Sequence, residues 1–156
     1  MNTLEKICVS ALFAVGVSAS VAANPAATPT DLRQHAEYAA IDKTMQTMMQ
    51  AFELGDGKLA HQVILQDTAV IGYSRKQQKV LNISGEQWAA DFEPAEDEAQ
   101  RHRQYQILDI SDSGALVKVM LDYPGWLGVD YLALVKVNEQ WRVISKSWSG
   151  KLKQNK

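Results

Sequence analysis

The segment from Ala115 to Ser149 constrains the fold most strongly, because it contains three consecutive strand patterns separated by turn formers. β-Branched and aromatic residues alternate along each pattern, which is typical of antiparallel strands. Pro124 and Gly125 suit the central positions of a type II turn, since proline presets φ and glycine accepts a positive φ. The polar residues 138–140 have the length that closes a second hairpin. The segment therefore predicts three consecutive antiparallel strands.

The middle strand of this segment, residues 129–137, is apolar on both faces. One face carries Val129, Tyr131, Ala133, Val135 and Val137, and the other carries Leu132 and Leu134. A strand of this kind needs cover on both sides. We expect helices on one side and a second layer or a second copy of the chain on the other. The pattern therefore predicts a homodimer that forms through the sheet.

The chain begins with the pattern of an export signal. Residues 2–6 are polar with one lysine, residues 7–17 are apolar, and Val21 to Ala23 supply the small residues of a cleavage site. The apolar run is about 11 residues long, whereas a spanning helix needs roughly 20. We expect cleavage after Ala23, a periplasmic or secreted protein, and no stable membrane insertion after cleavage. A retained anchor is the alternative.

Composition limits what the remaining chain can do. Residues 24–30 form an Ala/Pro/Thr spacer that we expect to be disordered, residues 31–150 have the length of one domain, and residues 151–156 form a polar tail. Cys8 is the only cysteine, so the chain after cleavage has no thiol for a disulfide or a metal site. A net charge of −2 and a pI near 5.9 argue against nucleic-acid binding, which needs a concentrated basic face.

Helix and strand signals place the other elements before the three strands. The hydrophobic spacing predicts a long amphipathic helix that is capped by Thr30 or Asp31 and ends at Gly55. A helix at one end of an antiparallel sheet indicates an α+β fold. The further predicted elements are a short helix capped by Asp56, strands at 69–74 and 79–82, a short helix opened by the capping box of Ser84 and Gln87, and a strand at 103–110.

The closing motif resembles a known family. Residues 130–137, Asp-Tyr-Leu-Ala-Leu-Val-Lys-Val, and residues 140–146, Gln-Trp-Arg-Val-Ile-Ser-Lys, are similar to the putative lumazine-binding branch of the nuclear-transport-factor-2-like superfamily, as is Ala-Leu-Val-Lys-Val at 115–119. The resemblance spans roughly residues 38–149. It implies a cone-shaped half-barrel, a curved antiparallel sheet of about six strands wrapped over the long helix and the two short helices. It also implies a cavity at the open end and a dimer through the sheet.

The chain departs from that family at residues 63–67. The sequence there is Val-Ile-Leu-Gln-Asp, where the family often has a Phe-His-Pro-Asp run. This departure removes the histidine to which one would first look for chemistry. His35, His61 and His102 have no ligand spacing, so the sequence predicts no metal site. We expect no cofactor, because phosphate-binding glycine motifs are also absent.

Acid–base chemistry is the enzymatic alternative, because the fold implied by the resemblance also houses ketosteroid isomerases and polyketide cyclases. Such sites use a carboxylate or a histidine whose pKa is moved by an apolar cavity. Asp130, among apolar residues of the middle strand, and His61, in the short helix, are the candidates. The alternative for Asp130 is a structural bond to backbone, to Arg103 or to Lys146. The alternative for His61 is simple exposure.

A binding cavity for a small apolar or planar molecule is the function that the sequence favours. Ligand cavities are lined by aromatic and apolar residues with a few polar groups. Arg103 could recognise an anion, or could instead face the acidic loop at 96–98. A role in protein interaction through the exposed sheet is a third alternative. The predicted ligand-binding residues are Met45, Met49, Tyr73, Trp88, Phe92, Arg103, Tyr105 and Tyr131.

The signal pattern generates a prediction about export. In a Gram-negative host we expect periplasmic protein that has lost about 23 residues, because signal peptidase cleaves after a small-residue motif. N-terminal sequencing of the periplasmic fraction measures the start of the chain. Soluble cytoplasmic protein that begins at Met1 would contradict the prediction.

Overall fold

The computed structural model describes residues 32–75 and 77–153. The predicted signal, the spacer and the cap at Thr30 or Asp31 lie outside these residues. Among the described helices, none has both the length and the hydrophobicity needed to cross a bilayer. The elements are α1 (Tyr38–Leu54), α2 (Gly57–His61), β1 (Ile64–Ser74), β2 (Lys79–Ile83), α3 (Gly85–Ala90), a 3₁₀ turn (Glu98–Gln100), β3 (His102–Ile110), β4 (Gly114–Tyr123), β5 (Trp126–Val137) and β6 (Gln140–Leu152).

The strands form one curved sheet in the order β2-β1-β6-β5-β4-β3, with the helices on its concave side. This arrangement confirms the predicted α+β half-barrel of six strands. One pairing differs from an entirely antiparallel sheet, because β1 runs parallel to β6. The register of that pair shifts between Ile64 and Ala69, and the buried Thr68 hydroxyl donates to the Val143 carbonyl at 2.6 Å. This hydrogen bond fixes the strands where the ladder is irregular.

The local signals at the helix ends act as the sequence predicts. Gly55 follows α1 with φ of 59°, the left-handed conformation that glycine adopts without strain. The Asp56 carboxylate accepts from the Lys58 and Leu59 amides at the start of α2. Ser84 and Gln87 form the capping box of α3. These caps satisfy amides and carbonyls that a helix leaves unpaired.

Three boundaries differ from the predicted ones, and the first is that of β1, which begins at Ile64 rather than at residue 69. Residues 34–37 form turns, so the predicted long helix is interrupted before α1 begins at Tyr38. The Glu37 amide there donates to His35 Nδ1 at 3.2 Å. The Glu37 carboxylate reaches the sheet instead, where it accepts from Trp141 Nε1 at 2.8 Å and Lys136 Nζ at 2.9 Å. At the other end, β6 continues to Leu152, beyond the predicted strand pattern, which ends at Ser149.

The two faces of the sheet differ in cover. Leu132 and Leu134 of β5 pack against the helices with 1% and 2% exposure, whereas Tyr131, which directly precedes Leu132, is 43% exposed. The predicted alternation is therefore confirmed, and the described part of the chain covers only the concave, inner face. Large apolar residues exposed on the convex, outer face and its edges include Ile71, Tyr73, Val80, Leu116, Tyr131 and Val137.

Candidate functional site

The inner face carries a surface of aromatic rings at one end of the cone. Phe52 of α1 stacks on Phe92, which follows α3, with ring centroids 4.8 Å apart. Trp88 of α3 packs edge-on against Phe92 at 5.8 Å. Across the cone, Tyr123 and Trp126 flank the β4–β5 turn with centroids 5.9 Å apart. Helix and sheet therefore both contribute aromatic rings to the inner face.

Three glycines allow two tryptophan rings to lie directly on the sheet. The indole of Trp148 covers Gly72 of the neighbouring strand β1, and the indole of Trp126 covers Gly128 and Gly150, which pair across β5 and β6. A Cβ at any of these glycines would overlap the ring above it. Glycine is the residue that permits so close an approach to backbone. The rings therefore lie flat and leave space above them.

A buried ion pair lies beside these rings. Lys146 Nζ of β6 is 2.7 Å from Asp130 Oδ2 of β5, and the two side chains are only 12% and 2% exposed. Asp130 Oδ1 is buried and has no hydrogen-bond partner among the described residues. Burial raises the pKa of Asp130, and the charge and hydrogen bond of Lys146 oppose this shift only in part. An ion pair in this setting costs desolvation energy that its own attraction does not reliably recover.

The ammonium group of Lys146 also faces the aromatic surface. Its Nζ lies 4.5 Å from the centroid of the Trp88 ring and 5.9 Å from that of Trp148. A cation within about 6 Å of an aromatic face is attracted by the ring quadrupole. Lys146 therefore links the carboxylate of Asp130 to walls on both sides of the cone.

A second group of charged side chains lies near the 3₁₀ turn. The guanidinium of Arg103 binds both carboxylate oxygens of Glu98, with Nη2 at 2.9 Å from Oε2, and its Nε donates to the Tyr123 hydroxyl at 2.8 Å. Arg101 donates to Asp97 at 2.7 Å. Burial opposes the charge of Arg103, but the hydrogen bonds that it donates to Glu98 and Tyr123 raise its pKa overall. Arg103 therefore pairs with the acidic loop, as the second alternative for it predicts, and its recognition of an anionic ligand stays a prediction.

Two cavities open in this region, one beside Trp126 and Trp148 and the other beside Arg103. The inner cavity has a volume of about 560 Å³ and is lined by Leu81, Trp126 and Trp148, with Arg75 and Lys151 at its edge. The mouth cavity has a volume of about 470 Å³ and lies between α1 and β3, where Met49, Arg101 and Arg103 line it. The first is mostly aromatic and apolar, so it has the character of a small-molecule site.

The structure brings several predicted site residues together. Trp88, Phe92 and Arg103 share the aromatic surface through Phe52, whose ring lies 5.7 Å from the Arg103 guanidinium. Met49 lines the mouth cavity. Two others have packing roles. Met45 is fully buried, and the Tyr105 hydroxyl donates to the Asp42 carboxylate at 2.7 Å, so Tyr105 ties β3 to α1. Burial and this hydrogen bond raise the pKa of Tyr105.

Other predicted residues lie apart from this surface. Tyr131 and Tyr73 project from the outer face, with 43% and 56% of their surface exposed, because they alternate with the inward residues Asp130 and Gly72. Tyr73 nevertheless borders the inner cavity, whereas Tyr131 does not. His61 is exposed at the end of α2 and lines a surface hollow with Phe92. Its carbonyl accepts from Arg142. Of the two acid–base candidates, only Asp130 is buried.

Sequence reasoning did not assign Trp126, Trp148 or Lys146 to the site. Two signals were available. Lys146 and Trp148 are two residues apart in one strand, so they share a face, and Gly128 and Gly150 recur in neighbouring strands beside tryptophans. Neither signal could be interpreted without the register that places Asp130 opposite Trp148 and next to Lys146. Among the described residues, no group of three or more His, Cys, Asp and Glu side chains could hold a metal ion.

Comparisons with known proteins agree with this architecture. Residues 36–149 match the model of a family described as putative lumazine-binding. No curated protein matches the chain by sequence. A nuclear-transport-factor-2-like protein of unknown function from Shewanella baltica has a TM-score of 0.64 and 18% identity, over 74% of this chain and 94% of its own. A similar protein from Silicibacter pomeroyi has a TM-score of 0.61 and 22% identity, over 72% and 94%.

A structure titled putative scytalone dehydratase, from Novosphingobium aromaticivorans, is also similar. Its TM-score is 0.53 at 17% identity, over 81% of this chain and 93% of its own. At these identities, the similarity to solved structures establishes the fold alone.

The buried pair generates a prediction about stability. Lys146→Met leaves Asp130 as an uncompensated buried charge and should lower the free energy of unfolding by about 3–5 kcal/mol at neutral pH. Without Lys146, the pKa of folded Asp130 rises further above its unfolded value. The folded state then binds the proton more tightly, so the loss should shrink as the pH falls towards the unfolded pKa. Urea denaturation at neutral and mildly acidic pH measures both effects.

Two further variants complete this experiment. Asp130→Leu combined with Lys146→Met removes both charges and should recover most of the loss. Lys118→Met, on the outer face of β4, is the matched control and should change stability by no more than about 0.5 kcal/mol. If Lys146→Met unfolds like the wild type at every pH, the pair does not have the energetic role inferred here.

Proposed function

Because this chain belongs to the putative lumazine-binding family, we propose that it is a small-molecule-binding domain whose ligand occupies the inner cavity. The observation that carries the proposal is the pair of tryptophan rings, Trp126 and Trp148, that lie flat on glycines at a cavity of about 560 Å³. Exposed aromatic faces of this kind stack on planar groups. The family description supports a small ligand without identifying it.

The chemistry of the walls narrows the ligand class. Leu81, Trp126 and Trp148 offer apolar and aromatic contact, and Arg75 and Lys151 add two cations to the lining. A compact planar heteroaromatic compound would bury its faces between the rings and leave polar substituents towards the cations. Orientation would then come from a few polar groups and affinity from apolar contact, as is usual for such sites.

Acid–base catalysis is the second candidate, and the observation that favours it is Asp130. Its Oδ1 has no hydrogen-bond partner among the described residues. Burial raises its pKa towards neutral pH, which is the direction that favours a general acid or base. The ion pair with Lys146 gives the same residue a structural role. The two proposed functions predict different fates for the bound compound, because only catalysis converts it into a product.

The binding proposal predicts a cavity-filling effect. In calorimetric titrations with a panel of planar heteroaromatic compounds, we expect a saturable binder of the wild type. Leu81→Trp fills the inner cavity and should abolish that binding. Trp148→Leu removes one stacking face and should weaken it by about threefold to tenfold. Leu116→Trp, on the outer face, is the matched control and should bind normally.

The same mixtures also test the second candidate. Mass spectrometry after incubation should return the compound unchanged. A product that forms with the wild type but not with Asp130→Asn, at equal melting temperature, would establish catalysis instead. Normal binding by a folded Leu81→Trp variant would contradict the inner-cavity site.

We also propose that the chain works as a homodimer after export and loss of residues 1–23. Leu116 and Tyr131 are exposed and lie diagonally on adjacent strands of the outer face, and exposed apolar residues on an uncovered face favour an interface. Light scattering at micromolar concentration should give twice the chain mass. Tyr131→Glu should halve it, whereas Lys79→Glu at the sheet edge should not. A monomeric wild type would contradict the proposal.

A further inference from the structure

A further cavity lies on the outer face rather than inside the cone. This outer groove has a volume of about 680 Å³ and lies near the β4–β5 turn. Met120, Leu127 and Val129 form its apolar floor, and Arg75, His102 and Lys151 stand around it. Because Leu121 and Asp130 are buried on the inner face, alternation places Met120 and Val129 outside. The groove is therefore distinct from the inner cavity.

The same glycines that admit Trp126 on the inside shape this groove on the outside. Gly128 and Gly150 line the groove, while the Trp126 ring covers them on the inner face. A side chain at either position would overlap that ring, so only the backbone separates the outer groove from the Trp126 ring. The groove and the inner cavity also share Arg75, Gly150 and Lys151, so the two spaces meet along the end of β6.

The charges around the groove favour one sign of ligand. Its carboxylate, Asp122, is paired with Lys153. Arg75 and Lys151 have no carboxylate partner within 4.0 Å among the described residues. Two cations without a counter-ion therefore stand beside an apolar floor. An ionised carboxylate or sulfonate would pair with them while an attached hydrocarbon covered Met120 and Val129.

We propose that the outer groove binds an amphipathic organic anion, with the hydrocarbon on the floor of Met120, Leu127 and Val129 and the acidic group at Arg75 and Lys151. The assignment does not depend on the function of the inner cavity. A second copy of the chain on the outer face would compete for the groove or enclose it. Binding is therefore measured at several protein concentrations, with the assembly state recorded at each.

Decanoate is the probe for this site, and decyltrimethylammonium is its cationic counterpart of equal chain length. In calorimetric titrations, we expect saturable decanoate binding and at least tenfold weaker binding of the cation. Ser149→Trp fills the groove and should abolish binding. Lys151→Glu should weaken binding by about fivefold or more, since one exposed charge contact is worth up to about 1 kcal/mol and the reversal adds repulsion. Lys79→Glu is the matched control and should bind as the wild type does.

The variants separate this site from the inner cavity. Leu81 lines the inner cavity and not the outer groove, so Leu81→Trp should leave decanoate binding intact. Decanoate binding that survives in folded Ser149→Trp but is lost in Leu81→Trp would overturn the proposal and assign the anion to the inner cavity. No binding to the wild type at any assembly state, or equal binding of the cation, would also overturn it. If Ser149→Trp fails to fold, Met120→Trp replaces it and should likewise abolish binding, because Met120 lines the outer groove and not the inner cavity.

Discussion

The packing of tryptophan rings onto glycines is the contact on which the open end of this cone depends. Trp148 lies on Gly72, and Trp126 lies on Gly128 and Gly150. The two indoles therefore occupy the space that side chains at these three glycine positions would otherwise fill. Protein interiors are close-packed, and an added methyl group at these positions would displace a ring and reshape the sheet end. Both the inner cavity and the outer groove border this contact. Their geometry is therefore linked through a single layer of backbone.

The buried ion pair poses a different energetic problem. A well-packed apolar pair at positions 130 and 146 would avoid the desolvation of two charges. The chain instead places Asp130 in the centre of the sheet and Lys146 against the Trp88 and Trp148 rings. The contact with two aromatic faces recovers part of the cost. The remaining unpartnered oxygen, Asp130 Oδ1, is the strongest reason to treat the pair as more than a structural link.

The acidic loop shows how a charged residue can serve structure and still border a cavity. Arg103 would be a natural anchor for an anionic ligand, yet Glu98 already binds its guanidinium through both oxygens. Arg75 and Lys151, by contrast, have no such partner among the described residues. An external anion would therefore pair with Arg75 and Lys151 at a lower free-energy cost than with Arg103, because at Arg103 it would first have to displace Glu98.

The sequence by itself determined the elements, because their signals are local. The caps at Gly55, Asp56 and Ser84, the turns at Gly125 and 138–139, and the alternation of β5 follow from residues a few positions apart. The family resemblance then indicated the half-barrel. Only the tertiary structure decided which side chains meet. Strand register places Lys146 beside Asp130 and puts Tyr131 outside, and the parallel pairing of β1 with β6 brings Gly72 under Trp148. These contacts join residues up to 76 positions apart, such as Gly72 and Trp148, so local spacing carries no record of them.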